Sequence, residues 1–233
     1  MRLGDAYRRS LEVARAPRVA IDLYGDRRAE SIYRTFRARH RRFRFTSAKR
    51  WGVALLRLPD SVTDYLGGGR KALLRQKRRL AHSNGLVYSI VQASAYFDDI
   101  LAINRSAPNR QGRAMPASYL DADLVHRIVE EEPLIHGILD RSGRLRAYAI
   151  IHEIGDVIVF GRLLGHSSDL DLGTMYLLVS EVIAHFIEER ATSGVPNWAM
   201  YDTFWGAAPG LAYFKRRLGF QPHTVTWRWV ERS

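Results

Sequence analysis

The sequence predicts an α+β fold: a mixed, mostly antiparallel sheet flanked by helices, with a basic and mainly helical region in front of it. Three observations lead there. Of 233 residues 46% are hydrophobic, enough to bury one large core or two small ones and too many for general disorder. From Leu86 onward strand-like and helix-like patterns succeed one another in the order β, α, α, β, β, β, α, β, α, β. Before Gly85 the chain carries 22 basic and 7 acidic residues, against 14 and 17 from there on, so the two stretches are different electrostatic objects. The expected division is therefore a basic N-terminal region, 1–85, and a second domain, 86–233.

Each element has its own signal. Residues 26–41 read as a helix capped by Asp26, with Ile32 and Phe36 four residues apart on its inner face. Residues 51–58 form a short apolar run ended by Pro59-Asp60 and read as a strand. Residues 61–66 make a capped helical turn, Gly67-Gly68-Gly69 breaks it, and a basic helix follows over 70–82 until Asn84-Gly85 stops it. Residues 86–91 read as a strand, 96–105 as a helix, 106–113 as a mobile loop, and 121–131 as a helix whose acidic first turn suits the helix dipole. Three runs, 134–139, 145–153 and 157–163, separated by turns at Asp140–Gly143 and Gly155-Asp156, predict an antiparallel meander. A long helix over 174–190 repeats Met175, Leu178, Val182 and Phe186 at spacings of three and four. A strand over 198–204, a short helix over 211–218 ended by Gly219, and a strand over 225–230 close the chain.

Composition excludes several classes of function. With no cysteine there is neither a disulfide framework nor a thiolate zinc site nor a cysteine nucleophile. The eight histidines are scattered without a His-x-x-x-His pair or a carboxylate cluster, so no metal is expected. No Gly-x-Ser-x-Gly elbow or phosphate-binding Walker loop is present. The basic start lacks an apolar stretch behind it, and nothing approaches the roughly 20 apolar residues of a membrane span. A soluble, cytoplasmic protein is expected.

The net charge of +12 points to an anionic partner. Arginine and lysine concentrate in 34–45 and 70–79, interleaved with apolar residues. Arg39, Arg41, Arg42, Arg70, Lys71, Arg75, Lys77 and Arg78 can contact phosphates while aromatic neighbours stack on bases. The same runs can equally form solvated amphipathic helices, or a helix lying on a membrane surface.

The element order resembles the GNAT-type N-acyltransferase fold over roughly residues 86–230. The sharper piece is Tyr201-Asp202-Thr203-Phe204-Trp205-Gly206, followed by Gly210-Leu211-Ala212-Tyr213-Phe214-Lys215-Arg216-Arg217-Leu218-Gly219-Phe220. It resembles the Fem-type transferases and related aminoacyl- or acyl-transferring GNAT proteins, in which a strand ending in aspartate leads through a glycine turn to a Phe-Lys helix closed by glycine. A Lys/Arg-rich helix such as 70–79 commonly precedes their C-terminal unit. Fem-type enzymes usually carry two GNAT units, and the 85 residues in front are too few for a whole one, so that half is truncated or replaced.

The resemblance implies a site. Central strands part to admit an activated carbonyl, and attack by an amine builds negative charge on its oxygen, which a nearby cation stabilises in the transition state. Lys215 matches the family's lysine at that carbonyl. Its position beside Arg216 and Arg217 also fits a surface lysine. Asp202, His152 and Glu153 are the candidate bases, with strand alternation putting His152 and Glu153 on opposite faces. Tyr213 is the candidate proton donor to the leaving group, although packing accounts for it equally. Trp205, Phe204, Tyr148 and Phe160 are candidate pocket liners. Donor-binding candidates are Arg162 and Gly165, Gly173 and Thr174 at the start of the long helix, and Phe214; the aspartates at 169 and 171 would repel a pyrophosphate there.

The implied activity is transfer of an acyl group from a thioester, acyl-CoA or acyl-carrier protein, to a small-molecule or peptide amine by direct attack. The alternatives are an aminoacyl-tRNA donor, its tRNA held by the basic half, and a non-catalytic module that binds nucleic acid.

Overall fold

The computed structural model describes residues 15–40, 46–110, 113–204 and 207–231. Its strands are β1 (Arg18–Leu23), β2 (Val53–Arg57), β3 (Val87–Gln92), β4 (Asn109–Arg110), β5 (Arg113–Ala114), β6 (Leu134–Leu139), β7 (Leu145–Ile154), β8 (Val157–Gly165), β9 (Trp198–Thr203) and β10 (Gln221–Trp229). Its α-helices are α1 (Arg27–Arg37), α2 (Val62–Leu66), α3 (Ala72–Ser83), α4 (Phe97–Arg105), α5 (Ala117–Leu120), α6 (Ala122–Glu131), α7 (Thr174–Ser193) and α8 (Pro209–Leu218). Eight strands form one mostly antiparallel sheet in the order β1-β10-β2-β9-β8-β7-β6-β3, while β4 and β5 make a separate small pair. Two neighbours are parallel, β1 with β10 and β8 with β9. The β8–β9 ladder is registered only from Val157↔Trp198 to Val159↔Met200, although both strands run on.

The chain divides into two compact units, one of Met1–Leu58, His152–Val159 and Glu189–Ser233, the other of Pro59–Ile151 and Phe160–Glu188. The expected boundary at residue 85 coincides with neither. The expectation of a mainly helical N-terminal extension is also corrected, because β1 pairs with β10 over six residues and β2 lies between β10 and β9. The reason is burial: Val19, Ile21 and Leu23 alternate toward the core, where Ile21 and Leu23 are fully buried against Val225 and Trp227.

Helix α1 covers that core. Asp26 caps it by accepting hydrogen bonds from the backbone N–H of Arg28 and Ala29, and Ala29 and Phe36 face inward, Phe36 lying 4.7 Å from the Trp227 ring. It ends at Arg37 rather than 41 because the chain turns extended at Ala38 and Arg39 bridges to Ser47. In the second unit α4 and α6 cover Ile135, Leu145, Tyr148 and Ile150 of the sheet, and Asp121 stands before α6 as its N-cap, accepting from the backbone N–H of Asp123 and Leu124. Helix α3 stops at Asn84 and Gly85, the glycine adopting φ +77. Ten residues of α7 are buried, which is why its apolar pattern is broader than one stripe. Among the described residues no helix is long and apolar enough to cross a membrane.

Candidate active site

In the first unit, β9 delivers Tyr201, Asp202 and Thr203 and α8 delivers Phe214 and Lys215. Pro209 at the first turn of α8 presets the helix, and Gly219 closes it in a left-handed conformation, its N–H bonding to Arg216 and that of Phe220 to Lys215. This closure puts Lys215 on the inner face. Its side chain is 1% exposed, Nζ donates to the Thr203 carbonyl at 2.9 Å and lies 4.6 Å from the centroid of the Tyr201 ring and 5.8 Å from that of Phe204. Tyr201 is in turn flanked edge-on by Phe214 and Phe220. Burial pulls the Lys215 amine down to about 8; the Asp202 carboxylate opposes the shift and Lys49 adds to it. Near pH 7 the group therefore remains mainly an ammonium. Among the described residues it makes no ion pair.

Asp202 is the one non-glycine residue with positive φ among those described, at +53, a conformation that costs about 1 kcal/mol or more. Its carboxylate is accessible and forms an ion pair with Lys49, a residue with no signature in the sequence because the two lie 153 positions apart. Burial, and then Asp202, push the Tyr201 hydroxyl well above its ordinary range. Tyr213 sits on the outer face of α8 beneath the Arg217 guanidinium, 48% exposed. Glu153 is exposed on β7, while its neighbour His152 is half-buried and pulled down to about 4 by burial and by Arg28. Trp205 lies outside the described residues.

Four of the donor-binding candidates, Arg162, Gly165, Gly173 and Thr174, lie in the second unit and do not make one loop, while Phe214 is on α8 of the first. Arg162 donates weakly to the Ser118 carbonyl and lies 4.1 Å over the Tyr119 ring. Gly165 has Met175 against it, where a Cβ would meet the sulfur at 2.5 Å, and its carbonyl accepts from Arg110. Gly173 and Thr174 do open α7, Gly173 with φ +83 and Thr174 buried with its hydroxyl donating to the Asp169 carbonyl. Against Gly173 lies the backbone of Lys77, whose carbonyl oxygen would be 2.4 Å from a Cβ there. The buried Asp169 carboxylate is held below its usual range, against the cost of burial, by Arg146 and Ser168. Tyr148 and Phe160 are both core residues.

The expected nucleic-acid set also separates. Arg39 and Arg70 are exposed, and Arg41 and Arg42 lie outside the described residues. The others serve the second unit itself: Lys71 lies over the Tyr65 ring, Arg75 donates to the Leu66 and Gly68 carbonyls, Lys77 to that of Asp171, and Arg78 to Ser180 and Glu181. No group of three metal-binding side chains occurs among the described residues.

This architecture, one mostly antiparallel sheet flanked by helices, is a GNAT-like fold. Within that class it is similar to Fem-type structures. No protein-family model matches the chain, and no curated protein matches it. Among solved structures, FemX superposes with a TM-score of 0.54 at 8% identity, covering 74% of this chain and 59% of FemX. L-PGS from Bacillus licheniformis gives 0.52 at 14%, covering 73% and 57%. A conserved protein of unknown function from Bacteroides thetaiotaomicron gives 0.52 at 11%, covering 73% and 58%. The chain thus spans less than three-fifths of each.

Proposed function

We propose that the protein transfers an aminoacyl group from aminoacyl-tRNA to an amine acceptor, with the reacting carbonyl at Lys215. The observation that carries this reading is the Lys215 ammonium, 1% exposed and without an ion pair among the described residues. A buried charge without a counter-ion is costly, and such groups concentrate where charge develops during a reaction. The Thr203 carbonyl takes one of its three donors and fixes its direction, leaving the charge available to a developing oxyanion.

The start of α7 supports this choice of donor. A coenzyme A pyrophosphate needs N–H groups and positive potential at a helix start. At this one the space against Gly173 is taken by the Lys77 backbone, whose carbonyl oxygen would lie 2.4 Å from a Cβ there. An ester on tRNA does not need a pyrophosphate cradle, and the likeness to FemX favours it over the thioester. In the reaction the neutral acceptor nitrogen attacks the ester carbonyl and the C–N bond forms. The displaced C–O electron pair goes to the ribose oxygen. The proton lost by nitrogen goes to the Asp202 carboxylate and from there to that oxygen.

The test offers the purified protein a tRNA charged with labelled amino acid, or labelled acetyl-CoA, each with a panel of amines. Labelled amide from the ester and none from the thioester is expected. Faster transfer from the thioester, or amide formation unaffected by Lys215→Met, overturns the reading.

A further inference from the structure

Asp202 serves two neighbours at once. Its backbone holds φ +53, and the carbonyl that follows it, that of Thr203, is the one that receives the Lys215 ammonium at 2.9 Å. Its carboxylate meets the Lys49 ammonium through Oδ1, while Oδ2 has no partner among the described residues. A non-glycine residue persists in the left-handed region only where its surroundings hold it there, and such residues gather at functional sites. Lys49 holds the side-chain end.

Lys49 is itself tethered to the core of the first unit. Its N–H donates to the Phe36 carbonyl at 3.2 Å, and its own carbonyl accepts from the indole Nε1 of Trp227; Phe36 and Trp227 are both buried and in ring contact. The ammonium therefore reaches Asp202 from a fixed base. Its side chain is 28% exposed and that of Asp202 is 56% exposed, and an ion pair so accessible adds only about 0–1 kcal/mol to folding. Stability does not account for the arrangement. The pair also acts on Lys215, where the Lys49 charge adds to the downward pull of burial and the Asp202 charge opposes it. Lys215 lies over the Tyr201 ring, and its helix neighbours Arg216 and Arg217 turn to the Phe204 and Tyr213 rings.

We infer that Lys49 is a positioning residue of the transfer site, its ammonium fixing Oδ1 of Asp202 and leaving Oδ2 to take the proton from the acceptor nitrogen as the C–N bond forms. This rests on the aminoacyl-transfer reading, in which that proton then passes to the ribose oxygen.

The test pairs NMR of the labelled Lys215 Cε with steady-state transfer by the whole protein from charged tRNA. In Lys49→Met the Lys215 midpoint should rise above its wild-type value of about 8, and the pH at which transfer falls should rise with it; in Asp202→Asn the midpoint should drop. At pH 7 Lys49→Met should lower kcat by about 10–10², with KM for the acceptor within about twofold and the melting temperature shifted by no more than about 4 °C. Lys49→Arg, which keeps a cation beside Oδ1, should recover most of kcat. Lys49→Gln carries the same expectations as Lys49→Met should the latter not fold. An unmoved Lys215 midpoint, a kcat left unchanged, or an equal loss in Lys49→Arg and Lys49→Met overturns the assignment. The midpoint is read without turnover, so absence of amide from the wild type counts against the transfer reading, and an unmoved midpoint counts against Lys49 alone.

Discussion

Helices α3 and α8 both carry a basic run and both bury a cation, yet they treat it in opposite ways. In α3 the Arg78 guanidinium, with a side chain 16% exposed, meets the Glu181 carboxylate at 2.8 Å and the Ser180 hydroxyl at 2.7 Å. In α8 the Lys215 ammonium is buried further and meets one carbonyl and two aromatic faces. The first is how a fold accommodates a cation it needs for packing. The second leaves the charge without an ion pair among the described residues, with the Asp202 carboxylate acting on it only at a distance, which packing alone does not explain. On the proposed reading the contrast separates a structural basic helix from a functional one, though the two read alike as strings of Lys, Arg and apolar residues.

The sharpest way to break the contrast is to remove each cation's setting in turn. Lys215→Met keeps the length of the side chain and removes the charge. Steady-state transfer should fall by about 10²–10³ in kcat, the scale of losing one oxyanion donor, with the melting temperature equal or higher. A large loss of stability with a small loss of turnover would make Lys215 structural. Glu181→Gln leaves the partly buried Arg78 without its counter-ion, so urea denaturation should register a loss of about 1–2 kcal/mol while kcat at saturating substrate stays unchanged.

A third test uses pH. The unfolded amine titrates near 10.5 and the folded one near 8, so between those values the unfolded chain binds more protons and stability rises with pH. Lys71, also pulled down to about 8 by burial, contributes with the same sign. Stability of the wild type should therefore climb from pH 8 to 10, and Lys215→Met should lose its share of that climb, on the order of 3 kcal/mol at most.

The smallest effect concerns the tRNA. If the proposed tRNA donor binds, Arg39 of the expected phosphate set and Arg27, likewise exposed in the first unit, should meet its phosphates, so Arg39→Ala and Arg27→Ala should each reduce the slope of log affinity against log salt by about 1. Arg75→Ala should leave the slope alone and lower stability, because Arg75 holds two backbone carbonyls. A reversed pattern would return the nucleic-acid surface to α3.

Much of this architecture was legible. Strand and helix order from Leu86 onward followed the apolar periods, and the Phe-Lys helix closed by Gly219 marked where Lys215 would lie. Strand β1 was readable too, since Val19, Ile21 and Leu23 alternate, but the neighbouring charge drew attention to helices. Other features left no trace. Arg75 and Lys77 turn to backbone carbonyls, which every residue possesses, so no sequence pattern distinguishes them from solvated cations. Lys49 reaches Asp202 across most of the chain. The Lys77 carbonyl at Gly173 depends on how α3 packs, which composition does not encode.

The central claim is that the Lys215 ammonium acts on the reacting carbonyl. It is tested by following the labelled Cε of Lys215 by NMR across pH 6–9.5, together with single-turnover aminoacyl transfer corrected for spontaneous ester hydrolysis. The lysine should lose its proton near pH 8 and the transfer rate should fall through the same midpoint. A rate that stays level while the lysine titrates would contradict the account.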